Sequence, residues 1–174
     1  VIPDKGPIII AGNHKHIYDQ CPVIMSTKRP IHYMAKKEYF DGKLSFFFKF
    51  VGCIPVNREI KDENAKNIAL EVLNNNGAIG IFPEGTRNKT DAIMLPFHPG
   101  SFKIVTLAKA PLVISCVLNT EKVHKRTPFR RTTIYFDILK VLYYEDYKDM
   151  TTVELSEYSR NLILEHIKEE KGDR

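Results

Sequence analysis

The chain has 174 residues, of which 43% are hydrophobic and 27% charged, with 10 Pro and 9 Gly spread along it. This length suits one domain with a sizeable core, and the composition excludes a disordered or low-complexity chain. The formal net charge of +5 favours anionic partners, but the lack of Trp and of aromatic residues within basic runs argues against nucleic acid.

Short β-rich runs alternate with helical patterns along the chain. Strands are expected at residues 7–11, 31–35, 54–56, 78–82, 112–118 and 132–139. Helices are expected across 60–73, where apolar residues recur at helical spacing, across 102–109, and from Thr151 onward, where a capping box begins. Because the strands are nearly continuously hydrophobic, we predict a single α/β domain with a mostly parallel or mixed central sheet and helices on both faces.

The loop after the first strand, residues 13–19, is the richest polar cluster in the chain. On one continuous helix His14 and Asp19 would be roughly 140° apart and could not meet. They meet if His14 lies in a turn and Asp19 opens the next helix, which Pro22 in a first helical turn favours. A carboxylate on one imidazole nitrogen leaves the other free to accept a proton, so the pair is a candidate general base.

Two other interpretations of this loop stay open. In the first, Asp19 only caps a helix and His14 is an ordinary loop histidine. In the second, His14, His16 and Asp19 are half of a metal site in a metal-dependent hydrolase. The further ligands would come from His32, His98, His124 or His166.

Two later strands also end in polar turns. The strand at 54–56 leads to Arg58, whose guanidinium could hold a phosphate through two parallel hydrogen bonds. The strand at 78–82 leads to Glu84, Gly85, Thr86 and Arg87, which offer close backbone approach, a hydroxyl and a second guanidinium. The alternative is that the second turn is structural, with Glu84 paired to an arginine.

Residues 44–51 contain four Phe beside several lysines. Such a segment suits contact with an anionic bilayer, and a core helix beneath the sheet is the alternative. The lysines are Lys36, Lys37, Lys43 and Lys49.

The cysteines Cys21, Cys53 and Cys116 have neither the spacing of a zinc site nor the even number of a disulfide framework. They indicate a reducing compartment, the cytoplasm. A covalent route through Cys21 or Cys53 is disfavoured because neither has a base at a recognisable spacing. No apolar stretch reaches the ~20 residues of a membrane-spanning helix. Since the chain begins at Val1, directly before a strand, we expect any membrane anchor to precede it.

Together these segments resemble the glycerophospholipid acyltransferase family, in particular the PlsC-like lysophosphatidic acid acyltransferases. The resemblance extends over residues 1–174, as one domain without an N-terminal membrane-attachment segment. Residues 82–87, with the sequence Phe-Pro-Glu-Gly-Thr-Arg, are its most specific part. The other motifs are Asn13-His14 with Asp19, residues 52–58, and the apolar run after Pro111.

The resemblance implies an O-acyltransferase that needs neither a metal nor another cofactor. His14, supported by Asp19, would deprotonate the sn-2 hydroxyl of 1-acylglycerol-3-phosphate, a lysophosphatidic acid. The hydroxyl would attack an acyl thioester of coenzyme A or acyl carrier protein and give phosphatidic acid. The implied glycerophosphate site consists of Arg58, Glu84, Gly85, Thr86 and Arg87.

Three positions depart from the family pattern and leave the acceptor open. His16 and Asn88 stand where relatives often have Ser, and Asn57 stands where an acidic residue is common. Another lysolipid acceptor, such as a different lysophospholipid or an ornithine-type lipid, is therefore the nearest alternative. The family further implies a place at the cytoplasmic face of a membrane, either peripheral or anchored through a segment absent from this chain.

Overall fold

The expected alternation of strands and helices is present in a computed structural model, which describes residues 2–43, 45–57, 60, 62–125 and 131–173. The strands are β1 (Ile8–Gly12), β2 (Ile31–Lys36), β3 (Ile54–Val56), β4 (Ala78–Ile81), β5 (Leu112–Leu118) and β6 (Tyr135–Leu142). The helices are α1 (Gln20–Met25), α2 (Ser45–Phe50), α3 (Glu63–Asn74), α4 (Lys103–Ala108), α5 (Tyr144–Tyr147) and α6 (Thr152–Asp173). Short 3-10 helices cover Lys37–Phe40, Pro99–Phe102 and Thr120–Lys125.

The strands form one sheet in the order β3-β2-β4-β1-β5-β6. The pairs among β1 to β5 are parallel, and β6 runs antiparallel to β5. The five parallel strands therefore all end at the same edge of the sheet, called the carboxyl edge below. The predicted α/β class with a mixed sheet is confirmed.

The sixth strand begins three residues later than predicted, at Tyr135–Leu142 rather than 132–139. Its first residue pairs with Leu118, the last residue of β5, so the residues before it have no strand beside them. The predicted strand began too early because residues 132–134 are β-branched and have a high β-propensity. This propensity does not show where the partner strand ends.

Two buried hydrophobic clusters cover the two faces of the sheet. The first joins Ile9 of β1 to Leu73 of α3 and Leu155 of α6. The second joins Ile10 of β1 to Val23 of α1. Helices thus lie on both faces, as predicted, although in the described part of the chain the second face has only the short α1 in its buried cluster.

The aromatic helix α2 lies on the surface. None of its six residues is buried, so the interpretation of this segment as a core helix is wrong. Over the described ranges, no helix has both the length and the apolar character that crossing a bilayer requires.

Asn13 extends β1 beyond its last residue. Its side-chain amide donates from Nδ2 to the Val117 carbonyl and accepts from the Val117 N–H at Oδ1, both at 2.9 Å. Asn13 is only 7% exposed, and both of these side-chain groups are satisfied. The two bonds fix the direction in which the chain leaves the carboxyl edge, and His14 is the next residue.

Candidate active site

His14 and Asp19 are in direct contact, as the sequence predicts. The Nδ1 of His14 lies 2.9 Å from Oδ2 of Asp19, and α1 begins directly after Asp19, with Pro22 in its first turn. Asp19 is fully buried, whereas the His14 side chain is 16% exposed. Because the carboxylate accepts from Nδ1, the imidazole keeps its proton there and Nε2 has a free lone pair.

The carboxylate of Asp19 does not cap its own helix, which corrects one expectation. It makes no cap bond to α1 and instead accepts from the backbone N–H groups of Lys15 and His16, each at 2.7 Å. The hydroxyl of Thr120, two residues after β5, donates to its other oxygen. These donors satisfy a carboxylate that is removed from water and fix its orientation toward His14.

The imidazole of His14 is one layer of an aromatic stack. Its ring lies 4.0 Å from that of Phe82 at an interplanar angle of 8°, and Phe82 stacks in turn on Tyr33 at 5.2 Å. Tyr33 is buried, and burial raises the pKa of its phenol. One face of the imidazole is therefore packed, while the bond from Nδ1 sets its rotation.

The backbone of His14 is held by the segment after β4. Its N–H donates to Oε1 of Glu84 at 2.6 Å, and its carbonyl accepts from the N–H of Asn88 at 2.7 Å. The other oxygen of Glu84 accepts from the N–H of Leu95 at 2.8 Å. Glu84 is 2% exposed, and burial raises the pKa of its carboxyl despite these two bonds.

No arginine pairs with Glu84 among the residues that the structure describes, so the expected ion pair is not seen there. Both of its carboxylate oxygens bond backbone N–H groups, from His14 and from Leu95. This geometry favours a role in positioning His14 over direct contact with a phosphate.

Gly85, Thr86 and Arg87 form a turn between two residues that bond His14. Gly85 has a φ of +68°, and a Cβ there would lie 2.9 Å from Cδ2 of His98. Within the described part of the chain, the side chains of Thr86 and Arg87 have no hydrogen-bond or ion-pair partner. The guanidinium of Arg87 is thus available to a ligand. Arg58, the other predicted phosphate contact, lies outside the described residues.

Asn88 departs from the family pattern and has a structural role here. It is 2% exposed, its Nδ2 donates to the carbonyl of Ala92 at 2.8 Å, and its Oδ1 accepts from Thr90. The Nζ of Lys15 donates to the carbonyls of Thr90 and Ala92. These bonds tie the loop after β1 to the loop after β4.

Sequence reasoning gave no role to Phe82, Asn88 or Thr120. A place near the site could have been predicted for Thr120, because it follows a strand that ends at the carboxyl edge next to β1. Phe82 and Asn88 lay within or beside the third motif, but nothing local shows that they contact His14. Such long-range contacts depend on the fold.

The ligand set of the metal-site hypothesis is not assembled among the described residues. No three His, Cys, Asp or Glu side chains come together there as metal ligands. His32 bonds the carbonyl of Gly52, and His166 bonds Asp137.

Cys21 and Cys53 have thiols that are less readily ionised than a free cysteine. Burial raises the pKa of the Cys21 thiol, and the charge of Asp19 raises it further. Burial also raises the pKa of Cys53. A raised pKa reduces the fraction present as reactive thiolate.

Comparisons with known proteins show the family to which the chain belongs. A family model described as Acyltransferase matches residues 1–118, more than half of the chain. The chain belongs to this acyltransferase family. The family resemblance inferred from the motifs is confirmed.

Several named acyltransferases are similar to the chain. The 1-acyl-sn-glycerol-3-phosphate acyltransferase of Bacillus subtilis is 39% identical over 114 residues, which cover 64% of this chain and 56% of that protein. The enzyme of that name from Saccharomyces cerevisiae is 30% identical over 172 residues, covering 95% of this chain and 57% of that protein. The chain therefore spans little more than half the length of these relatives.

The fold is shared with a family member of known structure. The crystal structure of the 1-acyl-sn-glycerophosphate (LPA) acyltransferase PlsC from Thermotoga maritima matches with a TM-score of 0.75 at 22% identity. The match covers 98% of this chain and 68% of that one.

Proposed function

We propose that the protein transfers an acyl group from a thioester of coenzyme A or acyl carrier protein to the sn-2 hydroxyl of 1-acylglycerol-3-phosphate, giving phosphatidic acid for phospholipid synthesis. The observation that carries this proposal is the bond between Nδ1 of His14 and the buried carboxylate of Asp19. It leaves Nε2 of a fixed imidazole as a base, and the relatives' names supply the substrate class.

The transfer takes place in one step at His14. Nε2 accepts the proton of the glycerol hydroxyl, and the oxygen attacks the thioester carbonyl. The new C–O ester bond forms, the C–S bond breaks, and the thiolate leaves with the proton that the imidazolium returns. Asp19 stabilises the imidazolium while it exists.

The phosphate of the acceptor binds at the turn that follows Glu84. Glu84 and Asn88 bond the two backbone groups of His14, so both ends of the segment 85–87 are fixed relative to the base. A phosphomonoester on Arg87 and Thr86 then places its glycerol hydroxyl at a set distance from the imidazole, and Arg58 would supply a second guanidinium. The positive net charge of the chain favours binding of an anionic lipid.

A thiol-release assay tests the proposal. The protein is mixed with acyl-CoA or acyl carrier protein thioesters and one of three acceptors: lysophosphatidic acid, another lysophospholipid, or monoacylglycerol, which lacks the phosphate. We expect thiol release that depends on lysophosphatidic acid and is unaffected by a chelator. Release with every acceptor alike would contradict the phosphate site, and no release with any pair would contradict acyl transfer.

A further inference from the structure

An exposed aromatic face on α2 is an apolar feature that the acyl-transfer mechanism does not use. Phe46 is 80% exposed, Phe47 55% and Phe50 79%, and Val51 beside them is also exposed. At ~100° per residue these four side chains lie within an arc of roughly 140° on one side of the helix. The three Phe expose roughly 400 Å² of apolar surface, in the range of patches that are functional on soluble proteins.

The aromatic face has a defined orientation because the opposite side of the helix is attached to the domain. Phe48 stacks on Tyr39 at 5.2 Å and packs against Phe40 at 5.7 Å. Its carbonyl accepts from the N–H of Cys53 at 2.9 Å, which closes the helix onto β3. Phe46 and Phe50 instead stack on each other, with ring centroids 6.1 Å apart.

The charges beside the aromatic face are mainly positive. Residues 36–50 contain four lysines and two acidic residues. One of those acidic residues, Glu38, pairs with Lys36 at 2.6 Å. Lys43 and Lys49 are exposed on or next to the helix. Cations around an apolar face are complementary to a lipid bilayer, in which anionic headgroups lie above a hydrocarbon layer.

The aromatic face is linked to the sheet face that holds the base. Cys53, just after α2, packs against the buried cluster that contains Tyr33, and Phe82 packs against the same cluster. His14 stacks on Phe82. On this side Met25 of α1 is also exposed, at 86%.

We propose that the aromatic face of α2 inserts into the headgroup boundary of an anionic bilayer, with Lys43 and Lys49 on lipid phosphates. The lysolipid acceptor and its product reside in that layer, so the contact brings the carboxyl edge to its substrate. The choice of lipid as partner rests on the proposed function, whereas the contact itself is tested without catalysis.

A second copy of the chain fits this surface less well. A stable dimer buries about 800 Å² on each partner, roughly twice what the three Phe expose. Like-charged lysines would also face each other across a symmetric contact. An anionic bilayer meets neither difficulty.

Vesicle binding by paired variants tests the proposal. The double variant Phe46→Ser/Phe50→Ser removes the centre of the aromatic face. The matched control Leu107→Ser/Val153→Ser removes two apolar side chains that are each 49% exposed on other helices. Binding is measured by sedimentation with phosphatidylcholine vesicles, with and without phosphatidylglycerol, and circular dichroism checks that each variant is folded.

We expect wild type and control to bind the anionic vesicles, and the double variant to bind at least tenfold more weakly. Lys43→Glu/Lys49→Glu should also weaken binding to anionic vesicles at least tenfold. Loss of each lysine should weaken binding about fivefold, and the new negative charge should weaken it further. Lys103→Glu, at an exposed lysine on α4, is the charge control. Acyl transfer to a dispersed short-chain lysophosphatidic acid should not change in any of these variants.

Several results would overturn the proposal. They are equal vesicle binding by wild type and the double variant, no binding by wild type, or conversion of a dimer to a monomer by the double variant without lipid. Vesicle binding that depends on the aromatic face, with no acyl transfer to any acceptor, would support the surface and contradict the proposed function instead.

Discussion

The segments that follow β1 and β2 leave the same edge of the sheet in opposite ways. After β1, residues 13–19 turn inward, and the buried carboxylate of Asp19 accepts from several donors. After β2, residues 37–43 and 45–51 turn outward and expose three Phe. The first segment has polar groups fixed by long-range contacts, which a general base requires. The second is attached mainly through Phe48 and has the apolar surface that a partner would cover.

The largest effect should come from the fixed segment. His14→Ala removes the base, so kcat for lysophosphatidic acid should fall on the order of a hundredfold to ten-thousandfold, with lipid binding largely kept. Thiol release under saturating substrate measures it. His16→Ala is the matched control on the same loop and should keep most activity. Equal loss in both variants would favour the metal-site hypothesis.

Arg87→Ala should affect binding and leave kcat largely unchanged. Its guanidinium has no partner among the described residues, so its removal costs a charged hydrogen bond to phosphate and little folding stability. The KM for lysophosphatidic acid should rise roughly tenfold to hundredfold, while the KM for the acyl thioester stays the same. An unchanged KM for lysophosphatidic acid would place the phosphate elsewhere.

Glu84→Gln separates positioning from substrate contact. The amide can accept only one of the two backbone N–H groups and presents a donor to the other. With His14 displaced, kcat should fall about tenfold or more with little change in KM. If Glu84 instead contacts the acceptor, its KM should change first.

The same substitution has a pH signature. Burial disfavours the charged carboxylate of Glu84 and so raises its pKa above the ordinary value. The folded state is therefore more stable at acid pH, where Glu84 is neutral, and it loses this stability as the pH rises through the raised pKa. The thermal stability of wild type relative to Glu84→Gln should therefore be greatest at acid pH and should decrease toward neutrality. A difference that grows with pH would contradict the direction of this shift.

The smallest effect is expected at Thr120. Thr120→Val removes one donor to Asp19 and leaves the others, so kcat should fall about fivefold to tenfold. Thr120→Ser keeps the hydroxyl and should restore wild-type turnover. A value for the Ser variant as low as that for Val would indicate a packing role instead.

Local sequence patterns predicted the structural features that depend on residues close together in the sequence. The six strands, the start of α1 and the contact of His14 with Asp19 followed from apolar runs and from helix geometry. The remaining contacts of Asp19 and His14 did not, since Thr120 and Glu84 are 101 and 70 residues away from their partners. Four Phe in one segment fit a core helix and an exposed face equally well. The sequence does not show that Phe48 packs on Tyr39 and Phe40 while the other three Phe stay exposed.

The tautomer of His14 tests the central claim most directly. Nitrogen-15 NMR of the imidazole at mildly alkaline pH, assigned by comparison with His14→Ala, reports which ring nitrogen carries the proton. With Asp19 accepting from Nδ1, we predict a proton on Nδ1 and a bare Nε2, and loss of this preference in Asp19→Ala. A neutral His14 with its proton on Nε2 would contradict its assignment as the base.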